Sequence, residues 1–159
     1  MVRFTYVFVA LALGLMLLGC QRDRMGYIVV DPTNVDVEDL LNAPEEFPLD
    51  GTTLVVKSDL VLDLMPKIGP PYEMPALQVH WEITATDFQG VDSVKIKPRQ
   101  LWVVCQEKVM TAPIQVLEGT VKLGDVCDCD SNAIVVVLFD YNGKSVLLRS
   151  SWLRVVCAH

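Results

Sequence analysis

The sequence predicts an all-β fold, a sandwich of about seven to eight antiparallel strands over residues 53–159, and three observations carry that expectation. Ala76 to Asp87 alternates without a break. Leu77, Val79, Trp81, Ile83 and Ala85 fall on one face, and Gln78, His80, Glu82, Thr84 and Thr86 on the other. A period of two is what a sheet with one wet face requires. Ala133 to Asp140 carries the run IVVVLF, short and β-branched enough for a buried central strand. Asn142-Gly143 follows it and suits a tight hairpin, because a type I′ turn needs positive φ at both central positions. Turn signals recur at the roughly 8–12-residue spacing of sandwich strands.

The remaining elements follow in chain order. Thr53 to Lys57 and Asp59 to Leu64 read as two short strands, the second alternating Leu60, Leu62 and Leu64 against Val61 and Asp63. The Pro66–Pro75 stretch holds four prolines and one glycine and reads as a rigid loop. Phe88-Gln89-Gly90 turns the chain, and Val94 and Ile96 continue an inward face. Pro98 is expected to break the pattern before a strand from Leu101 to Val109. Ile114 to Leu117 and Thr120 to Leu123 are two more short runs around Gly119, and Asp125 to Asn132 is an acidic loop. Ser145 to Cys157 is the return strand of the last hairpin, with imperfect alternation from Arg149 to Trp152.

Residues 4–20, FTYVFVALALGLMLLGC, set the context of the whole chain. Arg3 supplies a positive charge, and the apolar run that follows is shorter than the roughly 20 residues a membrane-spanning helix needs. A charged start, a short apolar run and small residues near a break describe an export signal. The ending Leu17-Leu18-Gly19-Cys20 resembles the lipobox of bacterial lipoprotein precursors. That resemblance covers residues 1–20. It implies cleavage before Cys20, lipidation of its thiol and amino group, and stable anchoring in a membrane. It also implies a place in the cell envelope, facing the periplasm or the exterior, and Gln21 after the cysteine leans towards the outer membrane.

Cleavage leaves 140 of the 159 residues, one ordinary domain long enough to bury a core. Losing Arg3 takes the net charge from −7 to about −8. An acidic chain without a Lys/Arg stripe is a poor nucleic-acid binder, and the charge reads as solubility. Residues 20–52 read as a lipidated acidic tether between bilayer and domain, in which Val35 to Asn42 suits a short helix capped by Asn34 and stopped by Pro44 and Pro48. The expected domains are therefore 1–19, 20–52 and 53–159.

Two stretches carry a second resemblance. ALQVHWEITATDFQGVDSVKI resembles the second and third strands of bacterial immunoglobulin-like domains, and AIVVVLFDYNGKSVLLRSSWLRV resembles the last two. Together they imply an immunoglobulin-like sandwich, without the antibody-type pair of cysteines around a central Trp.

With Cys20 acylated, four cysteines remain: Cys105, Cys127, Cys129 and Cys157. An even number in an oxidising compartment points to two disulfides. A two-residue turn at 142–143 pairs Tyr141 with Lys144, and carrying that register outward sets Cys157 opposite position 128. Cys127 or Cys129 is then its partner, with the other left for Cys105, and the strand must bend to permit it.

The alternative is a metal or thiol-redox site in which Cys127 and Cys129 are soft ligands, completed by His80 or His159. A C-x-C pair lacks the C-x-x-C spacing of zinc and thioredoxin-like motifs. His80 has no Ser, Cys or second His recurring near it, and Asp125, Asp128, Asp130 and Asn132 lack the Gly and Glu of a calcium loop. Trp81, Trp102 and Trp152 read as core or half-core residues. The expectation is a non-enzymatic, lipid-anchored interaction or structural module. It has no cofactor and no catalytic residues, an envelope protein as partner, and the Pro66–Pro75 and Asp125–Asn132 loops as its contact surfaces.

Overall fold

The computed structural model describes residues 27–65, 75–86, 95–106, 108–124 and 127–158. The export signal with Cys20, Gln21 to Arg24, residues 66–74, the turn at Phe88-Gln89-Gly90, Val94, Asp125 and His159 lie outside the described residues.

The chain forms two facing sheets. The first has the order β1 (Phe47–Leu49), β2 (Thr52–Asp63), β3 (Ala76–Ala85), β6 (Glu118–Gly124), with the short β10 (Val156–Ala158) laid parallel to β2. The second has the order β5 (Lys108–Pro113), β4 (Ile96–Cys105), β7 (Asn132–Tyr141), β8 (Lys144–Arg149), with β9 (Leu153–Arg154) pairing β7. All pairings but β10 with β2 are antiparallel. The order β2-β3-β6 facing β5-β4-β7-β8 is that of strands A, B and E facing C′, C, F and G in an immunoglobulin-like sandwich.

Alternation builds the core between the sheets. Leu77, Val79, Trp81 and Ile83 of β3 pack against Leu101, Val103 and Cys105 of β4 and Ala133, Val135, Val137 and Phe139 of β7. The outer face of the first sheet is wet: Lys57 and Asp59 of β2, His80 of β3 and Lys122 of β6 are exposed.

The second sheet is buried on both faces along β7 and the middle of β8. Ile134, Val136 and Leu138 point away from the main core, yet none is more than 2% exposed, because Leu40 and Ala43 cover them in a second apolar cluster. Leu40 belongs to α1 (Val37–Asn42), whose N-cap is Asp36 with a reciprocal capping box to Asp39. A strand covered on both sides has no wet face to alternate against, so its sequence reads as a continuous apolar run.

This corrects the expected tether. Residues 27–49 are part of the folded domain. Tyr27, Phe47 and Leu49 are buried in the main core, and Tyr27 packs on Phe47 with ring centroids 5.0 Å apart. Ile28 and Val30 exchange backbone hydrogen bonds with β8 through Leu147 and Ser145. The domain boundary at 53 is therefore too late, and the helix is capped by Asp36 instead of Asn34.

Three strand expectations also change. Thr53–Lys57 and Asp59–Leu64 are one strand of 12 residues, β2. Pro98 lies inside β4, at a bulge between Pro98 and Gln100. It is tolerated because β5 pairs with β4 only from Gln100 onward, so no ladder hydrogen bond to that side is lost. The run from Leu101 to Val109 is divided by a turn at Gln106, which takes φ 55°.

Candidate functional site

The two ends of the sandwich differ in kind. The hairpin end carries the turns Asp50-Gly51 and Asn142-Gly143, all four residues with positive φ, together with the β5–β6 connection. The cysteine end carries the turn at Gln106, the β6–β7 connection and the crossing from β9 to β10.

At the cysteine end the hairpin register holds as far as Val136 opposite Arg149 and then slips by one residue, so that Ala133 faces Leu153. Ser150 makes the slip. It is 2% exposed, its N–H donates to Val135 O (2.8 Å), and its Oγ accepts from Val135 N–H (3.0 Å). The imperfect alternation from Arg149 to Trp152 is the sequence trace of this irregularity. Beyond Arg154 the chain leaves β7, buries Val155, and joins β2 with Cys157 opposite Leu62.

That crossing brings Cys157 to Cys129, and the two are disulfide-bonded with Cα atoms 5.6 Å apart. The sequence register had left Cys127 and Cys129 open as partners. Cys127 turns inward instead. It is 1% exposed, and its thiol lies in hydrogen-bonding contact with that of Cys105, which is fully buried. Both are free thiols, so among the described residues one disulfide forms where two were expected, and Cys105 is not bridged. Cys105 Sγ also lies 3.3 Å from Ser131 Oγ, which donates to Asp128 O at 2.6 Å.

The acidic loop between β6 and β7 is similarly engaged. Asp130 N–H donates to Val155 O (3.0 Å), its carboxylate pairs with Arg154 (3.1 Å), and its φ of 62° makes the turn. Burial, then the neighbouring Cys105, pushes the Cys127 thiol far above the usual thiol range. A thiol held protonated in this way is a poor nucleophile and a poor metal ligand.

Of the candidate ligands among the described residues, His80 is not brought to Cys127 and Cys129. His80 sits in the middle of the wet face of the first sheet, opposite Asp59, with Nδ1 3.1 Å from Thr120 Oγ1. Among the described residues no three His, Cys, Asp or Glu side chains form a group that would hold a metal ion. Trp81 is buried and Trp102 half-buried, but Trp152 is 57% exposed.

The hairpin end holds a feature that the sequence reading missed. A groove of about 830 Å3 runs between Ile96–Arg99 of β4 and the Pro113–Leu117 connection. Backbone bonds from Ile114 N–H to Arg99 O (3.1 Å) and from Ile83 N–H to Leu117 O (2.8 Å) hold its walls. Pro98 and Pro113 stiffen it, Val116 on its wall is exposed, and Lys97 and Arg99 line it. Arg99 is fixed by Asp140, to which its Nε donates at 2.7 Å. The one available signal was Pro98, since a proline within a strand marks a bulge, and bulges gather beside sites.

No helix among the described residues is long and apolar enough to cross a membrane. Comparison with protein-family models, curated proteins and solved structures returned no match, so the fold assignment rests on strand order and register.

Proposed function

We propose that this chain is a lipid-anchored cell-envelope protein acting as a non-catalytic interaction or structural module. Acylation of Cys20 attaches it to the membrane, with the outer membrane favoured by Gln21, and the sandwich presents a binding surface to an envelope protein. One observation carries this over the metal or redox alternative. The cysteines brace the fold, with Cys129 bonded to Cys157, and Cys105 and Cys127 buried in contact with each other.

The groove at the hairpin end is the surface we assign to the partner. Its apolar wall and the cation of Lys97 suit a segment that offers an apolar side chain beside a carboxylate. Intact mass of protein extracted from membranes reads out acylation directly. Cross-linking in the envelope, with and without Lys97→Glu and Val116→Asp, reads out the groove. A specific cross-linked species that both substitutions abolish is the expected result. Its persistence in both variants would remove the groove as the contact surface, and copper or zinc bound stoichiometrically and lost on Cys127→Ser would favour the alternative.

A further inference from the structure

We infer that the cysteine end of the sandwich rests on the lipid surface that carries the anchor. This rests on the proposed acylation of Cys20 and adds to it which end of the domain faces the bilayer.

Chain length is the first argument. Tyr27 is locked into the core, so only the six residues 21–26 separate Cys20 from the folded domain. Fully extended, that link spans at most about 25 Å, which is comparable to the sandwich itself. The domain is thus confined near the bilayer, at a distance where part of its surface can rest on it.

Chain direction is the second argument. Val29 bridges Val146 in antiparallel sense, and β8 runs away from the Asn142-Gly143 hairpin. Residues 28–30 therefore run towards the hairpin end, with Tyr27 on their cysteine-end side.

The third argument is where apolar surface is left exposed. Met65, Val109, Trp152 and Val156 are 55%, 39%, 57% and 57% exposed. All four lie near the cysteine end, whereas Val29, Val37, Leu41 and Val116 are exposed elsewhere. Met65 follows the last residue of β2 by two. Val109 pairs with Val104, which faces Ile134 near the start of β7. Trp152 precedes Leu153, the partner of Ala133. Val156 pairs with Val61. Trp152 and Val109 lie towards the outer side of one sheet and Val156 on that of the other, so the end has an apolar rim on both sides. An exposed Trp among aliphatic side chains suits the headgroup level of a bilayer, where an amphipathic ring is favoured. The charges of Asp130 and Arg154 at this end are paired with each other, which suits a zwitterionic surface.

The test uses the mature acylated protein in phosphatidylcholine vesicles, some containing lipid brominated high on the acyl chain. Intact mass and co-flotation report anchoring. The fluorescence component that is lost on Trp152→Phe reports the docked end. The expected result is flotation with this component quenched to about half or less, while Lys97→Glu in the groove leaves the quenching unchanged. Flotation with Trp152 no more quenched than a free indole in the aqueous phase overturns the inference, leaves the anchoring reading intact, and frees this end for a protein partner. A chain with unmodified Cys20 that does not float removes the anchoring reading and this inference with it.

Discussion

Arg149 at the end of β8 and Glu45 in the N-terminal segment form an ion pair of 2.8 Å that fastens the covering segment to the sheet it covers. The Arg149 side chain is 18% exposed, and its Nε also donates to Ala43 O at 2.8 Å. Removing the guanidinium strands a carbonyl as well as a carboxylate. Arg149→Ala is expected to cost about 1–3 kcal/mol of unfolding free energy, as for a part-buried charge-assisted hydrogen bond. Glu45, at 44% exposure, is screened, and Glu45→Ala should cost about 1 kcal/mol or less. Urea denaturation of both variants measures the difference. Equal losses would mean that the ion pair, and not the bond to Ala43, does the fastening.

Leu40 decides whether residues 27–46 are a cover or a spacer. It is 2% exposed and packs with Val104, Ile134, Val136, Leu138 and Leu147. Leu40→Ala is expected to destabilise the domain by about 2–5 kcal/mol, the range for a buried leucine truncated to alanine. A spacer residue would leave the denaturation midpoint where it was.

The disulfide between Cys129 and Cys157 closes a sequence separation of 28 residues and ties the β6–β7 connection to β10. Its reduction, or Cys129→Ser, should cost about 2–4 kcal/mol. Proteolysis should then begin in the β6–β7 connection, since that segment loses its tie to the terminal strand. Thermal denaturation with and without reductant, followed by mapping of the first cleavage, checks both statements.

Gly119 is required by Trp81. A Cβ placed on Gly119 would lie 2.8 Å from Cη2 and 2.9 Å from Cζ2 of the Trp81 ring. The ring is 4% exposed and has core side chains behind it. Gly119→Ala should therefore destabilise by about 1–3 kcal/mol through overpacking and shift the fluorescence of the buried tryptophan. The same substitution at Gly124, where nothing lies within 4 Å, should be mild.

Asp140 links stability to acid. Burial raises its carboxyl pKa, but hydrogen bonds from Arg99 and Ser145 and the charges of Arg99 and Lys97 outweigh this and hold the pKa below the ordinary carboxylate value. The stabilising contribution is complete above the unfolded-state pKa of about 3.9 and is lost as pH falls through the lower folded value. Asp140→Asn should accordingly reduce stability at neutral pH and flatten its decline below about pH 4. Denaturant midpoints across pH 2 to 7 test this, and an unchanged acid slope would assign the decline to other carboxylates.

Much of the framework was legible from local patterning. The alternation of Ala76–Asp87 became β3, and Asn142-Gly143 became the β7–β8 turn with both residues at positive φ. The continuous apolar run became a strand buried on both faces. These readings work because strand periodicity and turn chemistry are set by residues close in sequence. The hairpin register pointed Cys157 at the Cys127–Cys129 segment, but the β7 pairing ends at Arg154, and it is the crossing to β2 that brings Cys157 there.

What only the tertiary structure decided were relationships between distant segments. Nothing local to Leu40 or Phe47 shows that one covers the outer face of β7 and the other enters the main core, so a polar, proline-punctuated stretch read as a tether. The choice of Cys129 over Cys127 depended on a one-residue slip at Ser150 and the crossing to β2. The groove beside Pro98 exists only where β4 meets the connection into β6. By itself the sequence determined the all-β sandwich class, β3, β7 and the hairpin after it, because these follow from period and turn chemistry. Burial, pairing and surface shape came from the packing of segments up to about a hundred residues apart, as Arg149 and Glu45 are, since a side chain's environment is set by what the whole chain brings against it.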